Sequence, residues 1–155
     1  MEIYLVRHGE AMPKTVNPTR PLSDQGRSEV RQVAAFAARL GLAVGQIRHS
    51  GKARAEQTAA ILAEALSPAG GTVAVAGLGP ADDVRPVAAA LESESVPVML
   101  VGHLPFLARL TGLLLAGDAE KEVVRFHTGG MVCLVRDEGR WQVAWILTPE
   151  MASTP

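Results

Sequence analysis

An α/β fold of three layers, with helices on both faces of a mainly parallel central sheet, follows from three features of the sequence. Short apolar segments alternate with stretches of helical periodicity over most of the chain. Segments such as Val96 to Val101 are apolar at every position, as expected of strands buried on both faces. The C-terminal third breaks the alternation. There, Met131 to Arg136 and Trp141 to Leu147 flank the turn Asp137-Glu138-Gly139-Arg140, which predicts a hairpin and an antiparallel edge.

Residues 2–7 read as the first strand, ending at Gly9. A polar loop follows from Glu10 to Leu22, where Pro13, Pro18 and Pro21 oppose a helix. Ser23 is a good N-cap for a helix to about Leu40, with Val30, Val33, Ala34 and Ala37 at helical spacing and Gly41 suited to its end. Gln46 to His49 is a short strand, and Arg54 to Leu66 a second helix. Beyond the break at Ser67 to Gly71, Thr72 to Ala76 predicts a strand. Asp82 or Asp83 then starts a third helix through Leu91. After the strand Val96 to Val101, Leu104 to Ala116 predicts a fourth helix, with Pro105 in its first turn.

The 155 residues fit one domain spanning 1–155. With 48% hydrophobic and 20% charged residues the chain can bury a core. The net charge of −1 gives no global attraction for nucleic acid or an anionic membrane. Any anionic substrate must therefore be drawn by local arginines. The lone Cys133 excludes an internal disulfide and suits a reducing, cytoplasmic setting; the alternation of its segment points it into the core. The N-terminal apolar run is too short for a signal peptide, and no stretch is long enough to span a membrane.

In sheets of this kind ligands bind beyond the carboxyl ends of the strands. Three segments leave predicted strands there with polar groups: Arg7-His8-Gly9, Ser50 to Arg54, and Gly102-His103. A rigidly held imidazole is a nucleophile if one ring nitrogen is unprotonated and the other donates to a fixed acceptor. Arg7 offers a planar fork for phosphate or carboxylate oxygens. Gly9 allows a sharp turn or close approach to a ligand. Arg54 falls in the first turn of its helix, where a cation opposes the macrodipole and a bound anion offsets that cost. Each segment alone also fits a plainer role: a solvent-facing strand end, an Arg54–Glu56 pair, a helix-capping histidine. Together they make a phosphate site the stronger reading.

These motifs resemble the histidine phosphatase superfamily, also called phosphoglycerate mutase-like. Its Arg-His-Gly matches Arg7-His8-Gly9, and its Ser-x-x-x-Arg-Ala-x-Gln-Thr-Ala stretch matches Ser50 through Ala59. Its Val-Gly-His matches Val101-Gly102-His103, and Arg20-Pro21-Leu22-Ser23 with Gly26 looks like its Arg-x-Leu-Thr-x-x-Gly segment. The likeness runs from residue 2 to about Pro149, in motif order. Short length, Arg20-Pro21-Leu22 and the ending Trp141 to Glu150 are similar to the SixA-type phosphohistidine phosphatases. Many relatives carry Asn where this chain has Leu104, which is compatible with that branch.

The resemblance implies a covalent phosphohistidine intermediate on His8, with Arg7, Arg20, Arg54 and a protonated His103 around the phosphoryl oxygens, and Gly9 beside them. It implies no cofactor and no metal, because guanidiniums supply the positive charge. Ester-cleaving relatives carry an acid after the second helix, where this chain has Gly77-Leu78-Gly79-Pro80 followed by Asp82 and Asp83. Those aspartates read as helix-starting residues, and Glu10 as a solvated loop carboxylate. A phosphoramidate needs less acid assistance than an ester, so the expected substrate is phosphohistidine on a signalling or phosphorelay protein. A phosphatase of small phosphate esters is the rival, and a catalytically silent phosphoprotein-binding module a more distant one. His49 and His127 read as structural or exposed. Lys52 reads as a solvated side chain at the mouth of the site. Trp141 and Trp145, four apart, are expected on one strand face.

Overall fold

The computed structural model describes residues 1–153. Six strands form one sheet: β1 (Glu2–Arg7), β2 (Gln46–His49), β3 (Thr72–Ala74), β4 (Val98–Gly102), β5 (Met131–Asp137) and β6 (Arg140–Leu147). Their order across the sheet is β3-β2-β4-β1-β5-β6. The pairs β3–β2, β2–β4 and β4–β1 are parallel, whereas β1–β5 and β5–β6 are antiparallel. The predicted α/β class, the parallel centre and the antiparallel hairpin at the edge are therefore present.

Strand alternation divides the core into two. Tyr4, Val6, Met99, Val101 and Ile47 face α1 (Asp24–Arg39), α2 (Ala53–Leu66) and the last turn, α5 (Pro149–Ala152). Ile3, Leu5, Val98 and Leu100 face α3 (Arg85–Glu92) and α4 (Phe106–Ala116). Ile3, Leu5, Ile47 and Leu62 are fully buried, and each such side chain contributes about 1.5–3 kcal/mol over its exposed state. With both faces covered, the parallel strands have no need of a polar alternation, which is why they read as continuous apolar runs.

Ser23 caps α1 as expected, its side chain accepting from the Gly26 N–H, and Gly41 lies just past the end at φ +69°. Several boundaries differ from expectation, and β3 ends at Ala74 rather than Ala76. Asp82 and Asp83 do not start α3: Asp82 Oδ2 accepts from the Gly79 N–H at 2.7 Å and Asp83 Oδ1 from the Arg85 N–H at 3.0 Å, holding both in the preceding turn. β4 starts at Val98 because Pro97 has no N–H to give a ladder. α4 starts at Phe106, two residues later than its predicted start, with Pro105 as its cap. The hairpin turn has Glu138 at φ +52° and Gly139 at φ +76°, the two left-handed residues that a tight two-residue connection requires.

The tryptophans do not share a face. Between Cys133 and Leu134 the β5–β6 register shifts, so that Cys133 faces Trp145 while Leu134 faces Val143. One extra residue, Ala144, reverses the alternation. Trp141 consequently joins the α3/α4 core and donates Nε1–H to Glu92 at 2.7 Å, whereas Trp145 packs on the α1/α2 side beside Tyr4. Cys133 is buried as expected, and burial pushes its thiol up to about 11.

Candidate active site

The site is built by register. β1 and β4 run parallel with Val6 opposite Val101 and Arg7 opposite Gly102, so the next residues along, His8 and His103, emerge side by side. Their ring centroids lie 5.0 Å apart. The backbone of His8 is fixed on two sides: its N–H donates to Gly102 O at 3.0 Å, and its carbonyl accepts from the Gly129 N–H at 3.1 Å.

The His8 ring is fixed as well. Nδ1 lies 2.7 Å from the Gly9 carbonyl. A carbonyl only accepts, so Nδ1 carries the ring proton and Nε2 presents its lone pair. Burial, together with the charges of Arg54, Arg7 and Arg20, lowers the His8 pKa to about 4, against the opposing effect of the Gly9 bond. His8 is therefore neutral near pH 7.

His103 is 1% exposed, and its Nε2 lies 2.6 Å from Ser50 Oγ. Its Nδ1 is buried with no hydrogen-bond partner in the protein. Burial, then His8, Arg54, Lys52 and Arg20, push its pKa down to about 3. Burial and these four neighbours favour the neutral ring, where the resemblance implied a protonated one beside a phosphoryl group.

Three guanidiniums converge on the histidines. Arg7 Nη1 donates to Phe126 O at 3.1 Å, and its Nε is buried without a partner. Arg54, in the first turn of α2, likewise has a buried and unpartnered Nε, and its pKa is lowered by burial and by Arg20. Arg20 has φ +48°, a left-handed backbone that costs a non-glycine residue on the order of 1 kcal/mol. Its Nε is anchored on Met12 O at 3.2 Å. The loop behind it is pinned by Met12 N–H on Pro21 O at 2.7 Å and by Leu22 N–H on Gln57 Oε1 at 2.7 Å. Among the described residues no carboxylate forms an ion pair with Arg7, Arg20 or Arg54. The predicted Arg54–Glu56 pair is thus not formed.

Gly9 serves packing. A Cβ there would lie 2.7 Å from Val30 Cγ2, and its N–H is already donated to Thr58 Oγ1 at 3.0 Å. These contacts bring the His8 loop against α1 and α2. Thr58, which falls within the Ser50–Ala59 motif, links two parts of the site. Its hydroxyl donates to Arg54 O at 2.8 Å while accepting from Gly9. The signal for it was spacing: Arg54 and Thr58 are one helical turn apart on the same face.

The carboxylates considered as acids are all spent elsewhere. Glu10 is exposed and accepts from Ser23 Oγ at 3.1 Å, Asp82 binds the Gly79 N–H, and Asp83 pairs with Arg85. Every charged group that shifts His8 is an arginine. His127 is exposed, and His49 is buried with Nδ1 accepting from the Gly51 N–H at 3.1 Å. Among the described residues no group of three or more His, Cys, Asp or Glu could hold a metal ion, and no helix is long and apolar enough to cross a membrane.

The two histidines and the arginines gathered at the carboxyl ends of β1 and β4 have the charge and chemistry suited to an oxyanion. The sequence model of the histidine phosphatase superfamily (branch 1) matches residues 3–74, which include Arg7, His8, Arg20 and Arg54. The protein histidine phosphatase SixA, solved with tungstate, is similar over 96% of this chain and 97% of its own, with 27% identity and a TM-score of 0.86. Just under half of the chain thus matches the histidine phosphatase superfamily, and nearly all of it shares a fold with SixA. That match implies an enzyme with a histidine nucleophile. The fold is shared with a structure assigned as the phosphohistidine phosphatase SixA of Agrobacterium tumefaciens, at 24% identity, TM-score 0.77, and 96% and 97% coverage. It is shared too with an Entamoeba histolytica phosphoserine phosphatase in complex with phosphoserine, at 13% identity, TM-score 0.73, and 97% and 98% coverage. No curated protein matches this sequence.

Proposed function

We propose that the protein hydrolyses phosphohistidine on a signalling or phosphorelay protein, with His8 Nε2 as nucleophile. The His8 ring carries this reading: its Nδ1–H is committed to Gly9 O, which leaves the Nε2 lone pair free among three guanidiniums without carboxylate partners. Nε2 attacks phosphorus in line, and the bond from phosphorus to the substrate imidazole breaks. When its second nitrogen is protonated, that imidazole leaves as a neutral molecule. Phosphorylated His8 then holds its own proton on Nδ1 against Gly9 O, so it too leaves as neutral imidazole when water attacks. The water proton goes to the released phosphate.

Arg7, Arg20 and Arg54 neutralise the phosphoryl oxygens, and one well-placed donor typically contributes about 3–4 kcal/mol to the transition state. They take the part that a metal plays elsewhere, so turnover is expected to persist in excess chelator. The preference for P–N over P–O rests on the carboxylates. An alkoxide leaves poorly without a proton donor, and Glu10, Asp82 and Asp83 are each engaged in local bonds. Similarity to SixA supports the same substrate class. The buried lone cysteine accords with a cytoplasmic protein.

The test compares a phosphohistidine protein with aryl and sugar phosphate esters, alongside acid-quench trapping with labelled phosphate. Faster phosphohistidine turnover and an acid-labile label lost in His8→Ala are expected. Efficient ester cleavage with none on phosphohistidine would transfer the assignment to a phosphomonoesterase.

A further inference from the structure

We propose that a second anion pocket adjoins the phosphoryl site and selects substrates with an acidic side chain next to the phosphorylated residue. The inference rests on the phosphohistidine reading for its preferred substrate but not for its physical basis. Between the Pro13–Arg20 loop and the start of α2 lies a cavity of about 480 Å³, lined among others by Lys14, Thr19, Arg20, Lys52 and Arg54. No carboxylate lines it, in a chain that carries 16 acidic residues against 15 Lys and Arg. Among the described residues none of these four cations forms an ion pair.

The cavity is continuous with the phosphoryl site, because Arg20 and Arg54 belong to both. Their charges reach His8 and His103, and the charge of Lys52 also reaches His103. Four like charges around one concavity repel each other, and bound anions relieve that cost. A phosphoryl dianion answers two of the charges on Arg7, Arg20 and Arg54. It leaves Lys14 and Lys52 unanswered, together with one guanidinium. The Met12–Pro21 and Leu22–Gln57 bonds fix the backbone of the loop that carries Arg20, and exposed Lys14 and Lys52 flank it. α2 adds to the same field: Lys52 is its N-cap residue, and no side chain caps that end. An extended acidic side chain beside the phosphorylated residue, a carboxylate in particular, has the charge and size for this pocket.

The experiment uses two phosphohistidine peptides identical except for Glu or Gln beside the phosphorylated residue, and the matching pair of phosphoserine peptides. For the wild-type protein, kcat/KM should favour the Glu peptide by roughly threefold to tenfold, mainly through KM, the scale of one or two half-exposed ion pairs. The preference should shrink as added salt screens the charges. In the double variant Lys14→Gln/Lys52→Gln the Glu-to-Gln ratio should fall toward one, and Lys14→Arg/Lys52→Arg should keep it. A wild-type ratio of one, or a ratio unmoved by the Gln variants, overturns the inference. If only the phosphoserine pair is turned over, the P–N reading fails, and the Glu-to-Gln ratio on that pair decides the second pocket independently.

Discussion

Ser50 Oγ sits 2.6 Å from Nε2 of His103 and orients a ring whose Nδ1 is buried without a hydrogen-bond partner in the protein. The Lys52 N–H donates to the same serine oxygen at 3.3 Å, so the serine O–H is available to the imidazole. When the serine O–H donates to Nε2, the His103 proton sits on Nδ1, the atom with no protein partner, where a phosphoryl oxygen would accept it. Ser50→Ala removes one side of this. We expect kcat to fall about tenfold, on the scale of a buried polar group losing its bond, with a smaller change in KM. Ser50→Thr should restore most of it. Steady-state kinetics of the three proteins, with ring-nitrogen NMR shifts of His103, check this; an unchanged kcat in Ser50→Ala would refute it.

The two histidines also make stability depend on pH. Both have pKa values below the ordinary 6.5, at about 4 for His8 and about 3 for His103. The unfolded chain therefore binds more protons than the folded one as pH drops below about 6.5. Folded stability is fully present above that pH and is lost as pH falls toward 4, by up to about 1.4 kcal/mol per pH unit for each histidine. Thermal melts between pH 7.5 and 4.5 should show this slope, and His8→Gln/His103→Gln should flatten it. Millimolar tungstate should raise Tm, because an anion answers the guanidiniums and draws the histidine pKa values upward. A wild-type melt without slope between pH 6.5 and 4.5 would count against the burial of these rings.

Thr58 ties the nucleophile loop to the arginine helix through Gly9 N–H and Arg54 O. Thr58→Val keeps the volume and removes both bonds, stranding the buried Gly9 N–H. The expected loss is about 1–3 kcal/mol of stability, read as a lower denaturation midpoint. kcat should fall as well, since His8 and Arg54 lose their common support. Thr58→Ser should recover the activity. If the valine variant matched wild type in both measurements, the bridge would have no functional weight.

Much of this was legible in the sequence because strand ends and short motifs are local. Arg7-His8-Gly9, Arg54 and His103 could be placed at one sheet edge by topology alone, and parallel register brings His8 and His103 together without any further information. What escaped depended on contacts far apart in the chain. The Trp141–Trp145 relationship turned on a single extra residue, Ala144, whose bulge follows from how β6 meets β5. The neutral state of His103 came from burial and from arginines more than forty residues away, which no local pattern encodes. Asp82 and Asp83 have the composition of a helix start, but their carboxylates closed a turn first.

Gly26 offers the last test, because it links a helix to the loop that carries Arg20. A Cβ at this position would stand 2.1 Å from Glu10 O and 2.9 Å from Glu10 N, both backbone atoms. Neither can move as a flexible side chain would. Gly26 sits in the first turn of α1, where Ser23 accepts its N–H and the Ser23 N–H donates to Glu10 O at 2.9 Å. Gly26→Ala must therefore push the Glu10 backbone off α1, and with it the Ala11–Leu22 bridge that closes the loop behind Arg20. Overpacking of this kind costs about 1–3 kcal/mol. Because the loop is displaced along with Arg20, KM for any phosphorylated substrate should rise in the molecules that remain folded. Melting curves and kinetics at a temperature well below the variant's Tm separate the two effects. A folded Gly26→Ala protein with wild-type KM would show that Arg20 does not need this anchoring.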